Sequence, residues 1–176
     1  EHPEDRVICF LNNADFMLTG ADDFLKAKGT HAPLLVIYIN NFIYNISGAE
    51  GFPMTPYIRK TAGGDFELPF NIPRLAEHVG ADYIARWTPL RAGWLKYSIL
   101  DALESKGLSF IEVLNPCLIY DTTDRRLLNA SERMQFYDER TRIKNFAPAE
   151  EWDIRKSGSI LLGTLVDGRK KGNIKP

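Results

Sequence analysis

Four short apolar runs punctuate the chain: Arg6 to Leu11 (RVICFL), Leu34 to Ile39 (LLVIYI), Asp82 to Trp87 (DYIARW) and Leu108 to Leu114 (LSFIEVL). Each is nearly continuous rather than alternating, the pattern of a strand covered on both faces. The segments between them carry helix signals. Phe16 to Lys28 mixes apolar and charged positions and ends at Gly29. Asn71 is placed to cap a helix whose first turn holds Pro73 and which runs to His78. Thr88 and Pro89 open another, in which Leu90, Trp94, Ile99 and Leu103 recur at helical spacing before Gly107. Strand, helix, strand, loop, helix, strand, helix, strand is the order of an α/β fold: a parallel sheet with helices on both faces.

Residues 45 to 69 have no clear period and predict a long loop, of the kind that is commonly functional in a compact domain. After Cys117 the pattern weakens. Ala130 to Thr141 predicts a charged helix, and Ser159 to Val166 one more strand or a packed arm. The division expected is an α/β domain over residues 1–121, lacking an N-terminal part, and a C-terminal extension over 122–176 that packs on the domain or on a partner.

With 176 residues, 44% of them hydrophobic and 26% charged, the chain is long and apolar enough for one packed domain. A formal net charge of -1 supplies no field for nucleic acid or a membrane surface. No apolar run nears the ~20 residues that span a bilayer. Two cysteines make no disulfide framework and point to a reducing, cytoplasmic setting, and with three histidines they form no recognisable zinc spacing. Cys9 sits mid-strand as a small buried hydrophobe. His31 is read as an exposed loop residue and His78 as a helix-surface residue rather than a base. Trp87 and Trp94 are read as core or interface packing, Asp121 to Arg126 as a solvated turn, and Gly168 to Gly172 as a solvated basic tail.

Ligands of an open parallel sheet bind outside the carboxyl ends of its strands. Three segments converge on that edge: Asn12-Asn-Ala-Asp15, Asn40-Asn41 and Asn115-Pro-Cys117. Asn oxygens and backbone carbonyls suit a hard cation such as magnesium, and through it a diphosphate. Asn and Asp also favour tight turns because they bond their own backbone. From composition alone both readings stand. No glycine-rich dinucleotide fingerprint or P-loop favours a general nucleotide-binding domain.

From Arg6 to Tyr120 the chain resembles the thiamine-diphosphate-binding subunit of the 2-oxoacid:ferredoxin oxidoreductases. The resemblance is carried, in order, by Asn40-Asn-Phe-Ile-Tyr44, Ser47-Gly-Ala-Glu50, Thr55-Pro56, Pro69-Phe-Asn71, Ala85-Arg86 and Asn115-Pro-Cys117. The 28-position spacing from residue 13 to residue 41 matches the family's metal site without a gap. It implies a thiamine-diphosphate-binding fold, with magnesium held by Asn13, Asn41 and the Ile43 carbonyl. Asn12, Asn13, Ala14, Asp15, Gly20, Tyr44, Ser47 and Gly48 would approach the cofactor. Cys117 reads either as a buried structural cysteine or, in its Asn-Pro-Cys context, as a ligand of a [4Fe–4S] cluster. The resemblance assigns that cluster's other thiolates to a segment preceding this chain.

The activity implied is oxidative decarboxylation of a 2-oxoacid, with electrons passing through iron–sulfur clusters to ferredoxin or a similar acceptor and the acyl group to coenzyme A. It would take place within a multisubunit complex, with no catalytic residue in this chain itself. The family's Gly-Asp-Gly-Asp stands here as Asn12-Asn-Ala-Asp15. An amide replaces the ligating carboxylate, which lowers cation affinity, and both phosphate-approaching glycines are gone. A non-catalytic paralogue that keeps the fold for assembly is the alternative.

Overall fold

The computed structural model describes residues 5–27, 33–41, 71–115, 129–154 and 159–171. The loop expected over 45–69, His2, His31, the 121–126 turn and the tail beyond residue 171 lie outside them.

Strand β1 (Val7–Asn12) leads directly into α1 (Asn13–Asp15), a π-helical turn (Phe16–Gly20) and α2 (Ala21–Lys26). Strand β2 (Leu34–Asn40), helix α3 (Ile72–His78) and strand β3 (Tyr83–Trp87) follow. A 3-10 turn (Pro89–Arg91) then precedes α4 (Ala92–Glu104) and β4 (Ser109–Leu114). The chain closes with α5 (Ala130–Asp138), β5 (Thr141–Ile143), a 3-10 turn (Ala149–Glu151), β6 (Ile160–Asp167) and α6 (Gly168–Lys171).

The six strands form one sheet in the order β1-β2-β4-β3-β6-β5. β1, β2, β4 and β3 are parallel, as the alternation of elements predicts. β6 runs antiparallel to β3, with β5 parallel to β6, so the sheet is mixed at that side. Register shifts between Ile84 and Ala85, which pair with Val166 and Thr164, so Leu165 is the extra residue. Gly163 has φ 134°, and a Cβ there would fall 2.7 Å from Asn145 Oδ1. Only glycine fits that position.

The runs of β2, β3 and β4 divide between two cores, whereas β1 packs only Cys9 and Leu11 on the first core and leaves Val7, Ile8 and Phe10 exposed, against the expectation of a buried strand. On one face Val36, Tyr38, Ile84 and Phe110 pack with Phe16, Phe24, Ile72 and Ala76 of the α1–α2 and α3 helices. On the other, Leu35, Ile37, Ala85, Ile111 and Val113 pack with Ala102 of α4. Phe16 meets Phe24 and Tyr38 edge to face, with ring centroids 5.4 Å apart in each pair. Such pairs add about 0.5–1.5 kcal/mol each beyond their burial and pin the helix that begins at Asn13 onto β2.

Three local expectations are corrected. Asn13 to Asp15 is not a loop but the first helical turn, because Asn12 and Asp15 form a reciprocal capping box. Thr88 offers no side-chain cap: Arg91 N–H bonds its backbone carbonyl at 3.0 Å, and Thr88 Oγ1 is buried without a hydrogen-bond partner. Of the Leu90, Trp94, Ile99 and Leu103 stripe, Ile99 packs against the second core while Leu90, Trp94 and Leu103 are exposed. Small residues, Ser98 and Ala102, sit against the sheet, while Trp94 is 55% exposed and stacks on buried Trp87 at 5.9 Å. The first turn of α3 is as expected, with Asn71 Oδ1 accepting from Arg74 N–H.

Candidate functional site

The carboxyl ends of the parallel strands are stitched together by asparagines. Asn13 opens the helix after β1 and is wholly buried. Its Oδ1 accepts from Asn41 N–H at 3.1 Å, and its Nδ2 donates to Asn40 Oδ1 at 3.3 Å. Asn40 ends β2, and its backbone carbonyl accepts from Asn115 N–H, just past β4, at 2.9 Å. The three segments expected to share this edge therefore meet there, as far as residue 115.

Behind the asparagines lies a buried ion pair. Asn40 Nδ2 donates to Glu112 Oε1 at 2.7 Å, and Arg86 Nε donates to Glu112 Oε2 at 2.5 Å. Arg86 also donates to the carbonyl of Trp152 at 2.7 Å. Both charged residues are 1% exposed. β3 and β4 place Arg86 and Glu112 directly opposite each other. An unpartnered charge at this depth would be prohibitive, so each holds the other in place. Tyr38 stands opposite Glu112 on the β2 side. Burial, with a smaller contribution from the Glu112 charge, pushes its hydroxyl far above the usual tyrosine range. Tyr38 therefore keeps its proton at physiological pH and is no general base.

The sequence carried a signal for this pair that its reading passed over. Arg86 and Glu112 are lone opposite charges inside otherwise apolar strand runs, and such charges need a partner.

Asp15 faces the chain rather than a ligand. Asn12 Oδ1 accepts from Asp15 N–H at 3.0 Å, and Asn12 N–H donates to Asp15 Oδ2 at 3.3 Å. Ala14 follows Asn13 within the same turn. Gly20 lies in the π-helical turn, where an added Cβ would touch Leu11 and the Asp15 carbonyl rather than join the asparagine cluster. Cys9 is half-buried and packs against the first core. Ile43, Tyr44, Ser47, Gly48 and Cys117 lie outside the described residues. Among the described residues no group of three His, Cys, Asp and Glu could hold a metal ion, and no helix is long and apolar enough to cross a membrane.

The donor set at this edge fits a cation in one form. Asn13 Oδ1 keeps a second lone pair beside the end of β2, so the described half offers neutral oxygen and no carboxylate. That suits magnesium arriving with a diphosphate, whose own oxygens carry the negative charge.

Comparison with known proteins agrees with this geometry. Residues 1–113 match the family described as thiamine pyrophosphate enzyme, C-terminal TPP binding domain. The chain is 34% identical over 118 residues to the 2-oxoglutarate synthase subunit KorB of Archaeoglobus fulgidus, covering 65% of this chain and 44% of that protein. It is 30% identical over 173 residues to the same subunit of Methanocaldococcus jannaschii, covering 96% of this chain and 63% of the relative. The chain thus spans about half to three fifths of the length of these relatives. Among solved structures, the 2-oxoglutarate:ferredoxin oxidoreductase of Magnetococcus marinus, with 2-oxoglutarate, coenzyme A and succinyl-CoA bound, superposes with a TM-score of 0.66. That match has 17% identity, covers 90% of this chain and 56% of the other, and shows a shared fold. The family match over residues 1–113 leads to one assignment: this chain belongs to the thiamine pyrophosphate enzyme family, through its C-terminal TPP binding domain, and is similar to 2-oxoglutarate synthase KorB subunits.

Proposed function

We propose that the chain binds thiamine diphosphate through magnesium at the carboxyl edge of β1 and β2, within a complex that oxidatively decarboxylates a 2-oxoacid. The observation that carries this reading is the Asn13–Asn41 link. It brings the two halves of the family's metal motif, 28 residues apart, within 3.1 Å. Asn13, the Asn41 side chain and the Ile43 carbonyl would hold the cation. Tyr44, Ser47 and Gly48, with Asn12, Ala14 and Asp15 at the start of α1 and Gly20 further along, would border the cofactor. When bound, thiamine diphosphate supplies the carbanion chemistry that 2-oxoacid decarboxylation requires. The work of this chain is to bind and orient, and to keep the strand ends in register. Its partner subunits would complete the pocket. Cys117 would be one ligand of a [4Fe–4S] cluster completed by a segment outside this sequence, leading electrons to ferredoxin or a similar acceptor, with coenzyme A taking the acyl group. The setting would be the cytoplasm.

A second reading, a non-catalytic subunit that keeps the fold for assembly, is favoured by one observation. The Asp15 carboxylate already occupies the first helical turn, where a diphosphate would bring more negative charge. Thiamine diphosphate, magnesium and iron, measured per copy of the chain in the native complex, separate the two. Stoichiometric thiamine diphosphate and magnesium support the first reading, and absence of all three supports the second.

A further inference from the structure

The hydrogen bonds behind the site have a direction. Asn41 N–H and Arg86 Nε–H stand at the two ends, and both can only donate. Between them lie three linked side chains, those of residues 13, 40 and 112. An amide in such a chain donates on one side and accepts on the other. A carboxylate accepts on both. A chain with a donor at each end is therefore satisfied by one carboxylate and two amides, and by no other mixture of the two. Here Glu112 accepts from Asn40 and Arg86, which turns the Asn40 oxygen toward Asn13 and the Asn13 oxygen toward Asn41 N–H. These orientations follow from the fixed donors at the ends.

We propose that Glu112 is a positioning residue that sets the charge of the site from within the sheet: residues 13, 40 and 112 form a relay with room for a single carboxylate, and its seat on Glu112 requires an amide at position 13. The amide at residue 13 is then the form that matches Glu112, and restoring a carboxylate there alone opposes the fold. With carboxylates at both 13 and 112, one acceptor must face another, at 13–40 or, if Asn40 turns over, at 40–112. Glu112→Gln alone places donor against donor somewhere along the line. The pair Asn13→Asp with Glu112→Gln reverses every link. Arg86 then donates to the amide oxygen at 112, that amide donates to Asn40, and Asn40 donates to the carboxylate at 13. All bonds are remade and the net charge is unchanged. The carboxylate moves from the interior to the edge of the site.

The test is a four-member cycle in the assembled complex: wild type, Asn13→Asp, Glu112→Gln, and both together. Thermal unfolding is read on each, with magnesium-dependent thiamine diphosphate binding as the second measurement. The relay predicts that each single substitution lowers Tm and that the double variant is more stable than Glu112→Gln alone: the part of the loss due to mismatched hydrogen bonds is recovered, and the part due to Arg86 losing its adjacent carboxylate remains. A role in packing alone would instead make the two losses add. Recovery by the double variant when a single variant fails to fold also supports the relay. Additive losses, or singles that leave Tm unmoved, overturn it. The binding measurement rests on the function proposed above. There the double variant gains affinity by roughly tenfold, because a charged ligand replaces a neutral one. Recovered Tm with unchanged cofactor affinity overturns the claim that the relay sets the charge of the site, while absence of binding in the wild type overturns the proposed function and leaves the thermal cycle to decide the relay.

Discussion

The sheet has an ionic cluster at each end, and the two are built differently. At the carboxyl end, Arg86 and Glu112 are sealed and linked by hydrogen bonds to the asparagines of the site. At the amino end, Arg169 of α6 gathers Asp167, Asp101 and Glu104 at 2.8–2.9 Å, with its own side chain 30% exposed. Nearby, Arg6 bonds the Ser105 and Gly107 carbonyls and Ser109 Oγ, tying the start of β1 to the α4–β4 turn. The amino-end cluster sets Arg169, with Lys170 beside Asp167, against three carboxylates, and Asp101 and Glu104 are partly in water, so either of those two can be lost at little cost. The carboxyl-end cluster has one charged partner per charge and is sealed from solvent, so each member dictates the state of the next. A buried charge pair is a costly way to gain stability and an effective way to fix orientation. It lies beside the edge where we propose the cofactor binds.

Substitutions should separate the two ends in order of size. Glu112→Ala leaves the Arg86 guanidinium buried and unpaired, and should cost about 3–5 kcal/mol in chemical denaturation. A loss under about 1 kcal/mol would erase the contrast between the clusters. Arg169→Ala should cost less, about 1–3 kcal/mol, concentrated in its bonds to the buried Asp167 carboxylate. The same pair predicts an acid limb. Hydrogen bonds from Arg169 hold the Asp167 carboxyl below the usual range. Its stabilising contribution is therefore complete above the unfolded value of about 3.9 and is lost as pH falls through the lower folded value. Asp167→Asn should flatten the fall in Tm below about pH 4, and an unchanged acid limb would contradict the pairing.

At the helix start, Asp15→Ala should cost about 0.5–2 kcal/mol through the lost capping box. It should also tighten thiamine diphosphate binding by removing an anion from the first turn; weaker binding would make Asp15 a ligand rather than a cap. Smallest of all, Lys26→Ala breaks only exposed pairs with Asp22 and Asp23, and should leave Tm unmoved within error.

Much of this was legible in the sequence, for reasons that differ by element. Three of the four continuous apolar runs are parallel strands covered on both faces, as their pattern declared; the first, β1, is parallel too but lies at the sheet edge with Val7, Ile8 and Phe10 exposed, which an apolar run alone cannot reveal. The asparagine pairs marked the edge where the three segments meet, while composition alone left tight turns and a ligand site both open. The α4 face was legible in part: Ile99 of the expected stripe packs on the second core, as does Leu95, but Trp94 is exposed and the residues buried against the sheet are Ser98 and Ala102, whose small size carries no periodic signal. The antiparallel course of β6 was also hidden, since strand direction depends on the path of the chain between elements rather than on the strand itself. The Asn12–Asp15 turn read as a loop because its capping box lies inside the segment that resembles a phosphate loop. Arg86 and Glu112 could have been paired from their isolation in apolar runs. Their link to Asn40 needed the register.

The most direct test of the central claim is titration of thiamine diphosphate into the cofactor-stripped native complex, with magnesium and then with chelator, on wild type and Asn41→Ala. The account predicts one cofactor per copy of this chain, binding that collapses without magnesium, and a large loss of affinity in the variant. Binding that is absent, or indifferent to both magnesium and Asn41, would contradict it and leave the stitched asparagines as a purely structural seam.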